Sequence, residues 1–385
     1  MSTTRIPGPS AQANGDAGNS PAKDGRDRAS LAPALAVAQP TAEPRAGRAR
    51  SVALRTIAGL AVGAVLIVAF LRLANIGAIY QRLTHFSPGL AVACGAVYLS
   101  AYVVRGMRWR CLLRPDQVSI ARAAAIYQVG IFLNWLLPVR GGEVAMSLLL
   151  RRSNGIPANR SLAAVTMDKA MDLVPSVALF AVMPFLGLHL SGALWLLLAG
   201  ALAVTGFGAA VLAYAAWRMD RAVALLAWPV KAVAPRRGDA VASFIAGFVG
   251  TLLGLIRRPR QLLVAGGYTA VALLLDALFC LLAFRAVGVA VAFPVALYGY
   301  MLFNLSFILP SPPGQVGSNE VVGLLVFSGM FGVTRPGVGA MFLFSHPYTS
   351  LLMTCSGLAC LSAMGLTLRG TLRLAREPAG DRPHP

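Results

Sequence analysis

Long apolar stretches recur along this chain, and two of them are broken by proline, glycine and an acid. The first break is NWLLPVRGGEVAMSLLLRR, residues 134–152, and the second is NLSFILPSPPGQVGSNEVVGLLVF, starting at Asn304. A bilayer core takes roughly 20 apolar residues of helix. Segments of that length lie at about 56–74, 88–104, 161–187, 191–216, 261–286 and 337–366, so six crossing helices are expected. The pieces 120–137, 143–150, 293–309 and 317–331 flank the two breaks and are each too short or too interrupted for a comfortable span. They read as two helical hairpins. The expected fold class is an all-α integral membrane protein of about six spanning helices plus two re-entrant helical hairpins. A composition of 57% hydrophobic and 12% charged residues excludes an ordinary soluble globule.

A formal net charge of +20 raises the question of nucleic acid. The placement of the basic residues argues against it. With a cytoplasmic N-terminus, and with each hairpin entering and leaving on one side, all but Arg72, Arg82, Lys169, Arg285 and Arg335 of the 34 Lys and Arg fall inside. This is the positive-inside bias that orients membrane proteins. It predicts a multi-pass protein of a bacterial cytoplasmic (inner) membrane with both termini cytoplasmic, drawn to anionic lipid at that face, and no nucleic-acid partner.

Residues 1–50 carry no aromatic side chain and many Pro, Gly, Ala and Ser, so they are expected to be a disordered cytoplasmic tail, as are residues 371–385. Between them, 51–370 form the transmembrane domain. The linker 217–260, basic and amphipathic with Trp217 and Trp228, is expected to lie on the inner surface. Five cysteines without a CxxC pair predict no disulfide framework.

The two halves of this domain, about 88–187 and 261–366, are weakly alike. Tyr98 falls on Tyr268, Tyr127 on Tyr298, Pro138 on Pro310, Glu143 on Glu320 and Pro157 on Pro336. Three spans separate the start of one half from the start of the other, so the halves are expected to be inverted. Inverted repeats with discontinuous helices meeting near the midplane are a recurring plan for transporters.

On this reading Pro138, Arg140, Gly141 and Gly142, and Pro310, Pro313, Gly314 and Gly317, form hairpin tips, because proline removes a donor and glycine lets the chain turn closely. Each tip leads into a helix start whose free N–H groups suit an anion. Glu143 and Glu320 either occupy those starts themselves or serve substrate or protons. Asn134 and Asn304 open the two breaks.

The remaining acids at depth are Asp168, Asp172 and Asp276, and five such carboxylates imply pairing, neutralisation or water. Asp168 and Asp172 share a helix face, with Lys169 beside them. A tie from Lys169 to Glu143, or from Arg140 to Asp168, competes with a polar path or substrate pocket. Asp276, with no basic neighbour in sequence before Arg285, reads as a proton site or a buried neutral acid. His346 falls near the repeat position of Asp168 and reads more readily as a core histidine. No metal motif accompanies it, and neither a metal nor another cofactor is expected.

At these residues the chain resembles the lysylphosphatidylglycerol synthase transmembrane region, also described as the flippase-like domain family. The resemblance runs over about 55–370 and rests on NWLLPVRGGE, MDKAMDL and LPSPPGQVGSNE. Lys169 stands where the family usually has arginine, and Gln315 lies in a loop commonly richer in glycine. The resemblance implies movement of lipids or lipid-linked head groups between leaflets. Relatives are linked to aminoacylated phosphatidylglycerol, archaeal lipid-linked sugars and hopanoid gene clusters. The full synthases append a soluble aminoacyl-transferase domain, and this chain ends soon after its last expected span. The expectation is therefore a non-enzymatic transporter of an anionic lipid or lipid-linked intermediate by alternating access, with a soluble transferase as a possible partner. The alternatives are an intramembrane enzyme acting on a lipid head group and a non-catalytic membrane partner of such a transferase.

Overall fold

Apolar, glycine-rich segments with few interior breaks can satisfy their backbone polar groups in lipid only as helices, and helices are what they form. In the computed structural model, residues 86–136, 141–182, 192–233, 235–305 and 312–368 are described, together with a few isolated positions. The first expected span, both tails, Pro138, Arg140 and Pro310 lie outside this set or almost wholly so. The described helices are α1 (Pro88–Leu112), α2 (Ile120–Leu136), α3 (Gly142–Asn154), α4 (Ala158–Val182), α5 (Gly192–Trp217), α6 (Met219–Val233), α7 (Pro235–Ile256), α8 (Pro259–Ala286), α9 (Phe293–Leu305), α10 (Ser318–Gly323) and α11 (Arg335–Ala363). α10 continues as a wider π-type turn over Leu324–Ser328.

Among the described residues, four helices are long and apolar enough to cross a membrane: Pro88–Leu112, Leu194–Trp217, Gly238–Ile256 and Pro259–Ala286. α4 and α11 match the lengths of expected spans at 25 and 29 residues. Each is diluted by polar groups, α4 by Asp168, Lys169 and Asp172.

α1 and α8 form the central pair, and they run antiparallel. The Ser87 N–H donates to the Ala286 carbonyl at one end of the pair. At the other end Gln261 Nε2 donates to the Cys111 carbonyl. Between them Tyr98 meets the ring of Phe279 and Arg108 meets Thr269. In the register that aligns Tyr127 with Tyr298, Tyr98 corresponds to Thr269 and Arg108 to Phe279, so those two contacts are images of each other. The helix packing repeats the pattern under the exchange of α1 with α8, α2 with α9, α3 with α10 and α4 with α11. Thus α1 packs on α2 as α8 does on α9, α2 on α11 as α9 on α4, and α3 on α4 as α10 on α11.

Both ends of the α2–α3 hairpin lie at one end of the bundle, where Arg160 just after it bridges Asp116 just before it at 3.0 Å. The α9–α10 hairpin has both ends at the opposite end, where Val289 before it touches Gly337 after it. α2 and α3 cross closely at two glycines. A Cβ on Gly142 would drive into the Gly130 carbonyl oxygen and the Asn134 side chain, so only glycine permits this approach.

α6 and α7 pack on each other. The middle of α7 meets the ends of its neighbours: Val249 clusters with Ala215 and Ala222, and Gly247 abuts Asn159 at the start of α4. Although α7 has the length and composition of a span, these contacts set its midpoint at the level where α4 begins and α5 ends. Trp217 and Trp228 are exposed. The five cysteines are free thiols.

Gly142→Ala is expected to destabilise the protein by about 1–3 kcal/mol through overpacking. Gly200→Ala, in a helix position with open space around it, is expected to be neutral or slightly stabilising. Thermal unfolding of the two purified variants in detergent checks the contrast.

Candidate functional site: a buried ion cluster beside a polar cavity

α1 does not end at residue 104, where its apolar run meets the first arginine, but continues to Leu112. Arg105 and Arg108 therefore stand inside the bundle and are not part of a cytoplasmic loop. Spaced three apart, they share one face of α1. Arg108 is fully buried. Its Nε donates to Asp168 Oδ1 at 2.6 Å, its Nη1 and Nη2 to the two oxygens of Asp172 at 2.6 and 2.9 Å, and Nη1 also to Thr269 Oγ1. Arg105 holds Asp276 with two parallel bonds and lies 3.7 Å from Asp172. The Tyr127 hydroxyl donates to Asp168 Oδ2 at 2.9 Å.

Two corrections to the sequence reading follow. Asp276 is not isolated, since Arg105 bonds both its oxygens. The tie of Asp168 is to Arg108 and Tyr127. Lys169 does not reach Glu143: its ammonium lies over the Tyr127 ring, 5.5 Å from the centroid, and no ion pair joins it to another described residue. The clue available in sequence was the count of acids at depth. Each needed a cation, and an Arg-x-x-Arg pair directly extending an apolar helix could supply two.

Beside the cluster a cavity of about 390 Å³ opens between the two hairpins. Arg105, Lys169 and Asp172 reach it from the cluster side, and Asn134, Glu143, Asn304, Gln315, Asn319 and His346 from the hairpins and α11. Tyr98, Tyr102, Tyr127 and Tyr300 add aromatic wall. The structure thus brings together Asn134, Glu143, Lys169, Asp172, Asn304 and His346, while Asp168, Asp276 and Glu320 support them from behind.

At the first tip, Glu143 lies in the first turn of α3. Asn134 bridges it, donating from Nδ2 to Glu143 Oε1 at 2.8 Å and accepting the Gly142 N–H at Oδ1 at 2.7 Å. That helix-start donor is already taken. The second tip turns through Gly314, Gln315 and Gly317, all at positive φ (68°, 58° and 81°). For Gln315 this left-handed conformation carries a steric cost that glycine escapes, which is the physical sense of a glycine-richer loop at this place. Glu320 sits in the first turn of α10. His346 has both ring nitrogens engaged: its Nδ1 meets Glu320 Oε1 and its Nε2 donates to the Gly314 carbonyl at 2.8 Å. The tips approach each other at Gly314 and the Trp135 indole. No group of three or more potential metal ligands occurs among the described residues.

These features define the class, a multi-pass helical membrane protein with a partly open cavity between two helical hairpins, its largely apolar wall set with charged and polar side chains. The chain belongs to the family described as the lysylphosphatidylglycerol synthase TM region, whose model matches residues 56–357. It is similar to the protein named Glycosyltransferase AglD of Haloferax volcanii, 24% identical over 330 residues, which cover 77% of this chain. The match takes in 52% of that relative, so the chain spans about half its length. No solved structure matches the chain.

Arg108→Leu is expected to lower stability by about 3–5 kcal/mol, the cost of stranding buried carboxylates, whereas Lys169→Leu changes it little. The double variant Arg105→Leu, Asp276→Leu is expected to be more stable than either single variant. Thermal unfolding of the purified set, analysed as a double-mutant cycle, measures both effects.

Proposed function

We propose that this chain moves a lipid or lipid-linked intermediate with an anionic head group between membrane leaflets by alternating access, and does not itself catalyse a reaction. The observation that carries this reading is the polar cavity between hairpins that enter from opposite ends of the bundle. The antiparallel α1–α8 pair and the exchange-symmetric packing are what an inverted repeat produces, and such a repeat can exchange its open side by exchanging the conformations of its halves. The hairpins then act as re-entrant elements, with broken backbone at depth buried in protein or lining the cavity.

The charge pattern fits this role. Arg105 and Arg108 are engaged by Asp168, Asp172 and Asp276, which leaves Lys169 as the cavity-facing cation with no ion pair among the described residues. Lys169 is the proposed ligand for the head-group anion, with Asn304 and Asn319 offering amides to its polar remainder. The cavity-facing carboxylates are held by arginine or asparagine, an arrangement suited to shaping a charged site rather than to general-base chemistry. The bundle end that carries Arg114, Arg160 and Arg258 is proposed to face the cytoplasm, against Arg285 and Arg335 at the other end.

A second reading is favoured by the relative's name. On that reading the chain is the membrane partner of a transferase, with the exposed surface of α6 around Trp228 and Lys231 as the proposed docking face.

Purified protein in proteoliposomes, supplied with labelled phosphatidylglycerol or a labelled lipid-linked sugar, is expected to show protein-dependent movement of one of them between leaflets. Lys169→Ala is expected to slow it about tenfold or more, the consequence of losing a charge-assisted contact worth about 1.5–3 kcal/mol. Movement of neither lipid, or an unchanged rate in the variant, overturns the transport reading or the lysine assignment respectively.

A further inference from the structure

The two hairpins are built alike, but their acids are held by different chemistry. Glu143 and Glu320 correspond in the two halves, and each occupies the first turn of the helix leaving its tip. In the first half the partner is Asn134, an amide that does not titrate, which donates to the carboxylate and accepts from Gly142. In the second half Asn304, which opens the second break, lines the cavity, and the partner of the acid is His346 from α11.

The hydrogen inventory at His346 is fixed by its neighbours. Nε2 faces the Gly314 carbonyl, which can only accept, so Nε2 carries hydrogen. Nδ1 faces a carboxyl oxygen, and a bare imidazole nitrogen against a bare carboxylate places two lone pairs in contact. The contact therefore holds one more proton, either on Nδ1 of an imidazolium or on Oε1 of a carboxylic acid. Either way the pair is electrically neutral. Both side chains are largely buried, 12% and 5% exposed, and His346 opens to the cavity.

We infer that Glu320 and His346 form a proton-binding latch on the second hairpin, so that transport through this cavity is coupled to protons at one hairpin only. When the proton leaves to cavity water, the pair carries one net negative charge and its two acceptors repel. The Nδ1 contact then breaks, and the imidazole that also pins Gly314 is released, freeing the tip from α11. Reprotonation restores both bonds. The first tip, bridged by Asn134, keeps its bonds at any pH at which Glu143 stays ionised.

The other charged and titratable groups facing the latch across the cavity do not offer the same switch. Arg105 and Asp172 belong to the ion cluster. From α4, Lys169 lies over the Tyr127 ring, and from α3, Glu143 is held by Asn134. Tyr98 and Tyr102 of α1, Tyr127 of α2, Cys280 of α8 and Tyr300 of α9 complete the described set, as phenols and a thiol whose ordinary ionisation lies above that of histidine.

The inference rests on the transport reading for its purpose but is tested separately from it. Trp135 lies against Gly314 and reports on the tip. In nanodiscs of the full chain, acrylamide quenching of Trp135 fluorescence, isolated by subtracting a Trp135→Phe control, is measured over roughly pH 5–9, a range centred on histidine titration. The wild type is expected to show a step, with the indole better protected on the acid side. His346→Gln and Glu320→Gln are each expected to lose that step while remaining folded by thermal unfolding. A step retained at the same midpoint in both variants, or a flat wild-type profile, overturns the latch. The pH dependence of lipid movement in proteoliposomes then separates the two claims. Movement without a tip transition leaves transport standing and the latch refuted; a tip transition without movement does the reverse.

Discussion

The arrangement depends on how five charges are buried together. Arg105 and Arg108 on α1, Asp168 and Asp172 on α4 and Asp276 on α8 lie in segments that lipid would otherwise surround. Ions at such depth are tolerated when opposite charges and directed hydrogen bonds replace their water. Guanidinium suits this place better than ammonium, because its planar fork presents five donors in fixed directions. Arg108 uses that capacity on two carboxylates and a threonine at once. The cluster thereby fixes the relative positions of three helices and gives the cavity a wall whose charges are already committed.

That wall lies where the two halves of the chain meet. Arg105 and Asp276 occupy corresponding places in the register that aligns Tyr127 with Tyr298, and they contact each other. Corresponding residues touch in this way only near the axis of an antiparallel pair. The same scaffold position thus carries a cation in one half and an anion in the other, so the pair that joins the halves is complementary where identical residues would repel. The tips differ in the same spirit, with an amide holding one acid and an imidazole the other. Equivalent backbone with unlike side chains gives the two sides of the cavity distinct chemistry without distinct architecture.

Much of this was legible in the sequence. Gly141 and Gly142, and Gly314 and Gly317, marked places where helices start anew, and Glu143 and Glu320 fall in the first turns that follow. The lengths of α1, α4, α5, α8 and α11 followed from apolar runs, although the first run was cut too early at Arg105. That cut hid the ion cluster, because residues taken as a topology signal were the missing counterions. The partners of Asp276 and His346 were not legible for a different reason. Arg105 is 171 residues from Asp276 and Glu320 is 26 from His346, and such pairings are made by helix packing, which leaves no local spacing to read. α7 shows the converse limit, since length and composition suit a span while its contacts place its middle beside the helix ends.

The magnitudes divide the molecule into a part that holds and parts that can move. Removing one partner from a buried ion pair costs about 3–5 kcal/mol, so the cluster on α1, α4 and α8 resists rearrangement. A hydrogen bond contributes about 0.5–1.5 kcal/mol net, and one to a charged group about 1.5–3, and the described polar ties at each tip are a handful of such bonds: Asn134 at the first, the two His346 contacts and the Gln315–Asn319 contact at the second. The second tip also holds a non-glycine residue in the left-handed region, which subtracts from its stability. Were the halves to change conformation as proposed, the least costly route would run through a hairpin tip, with the ion cluster retained as the fixed surface. The strong interactions lie where α1, α4 and α8 meet and the weaker ones at the two tips, which is the distribution of stability that the proposed alternating access would require.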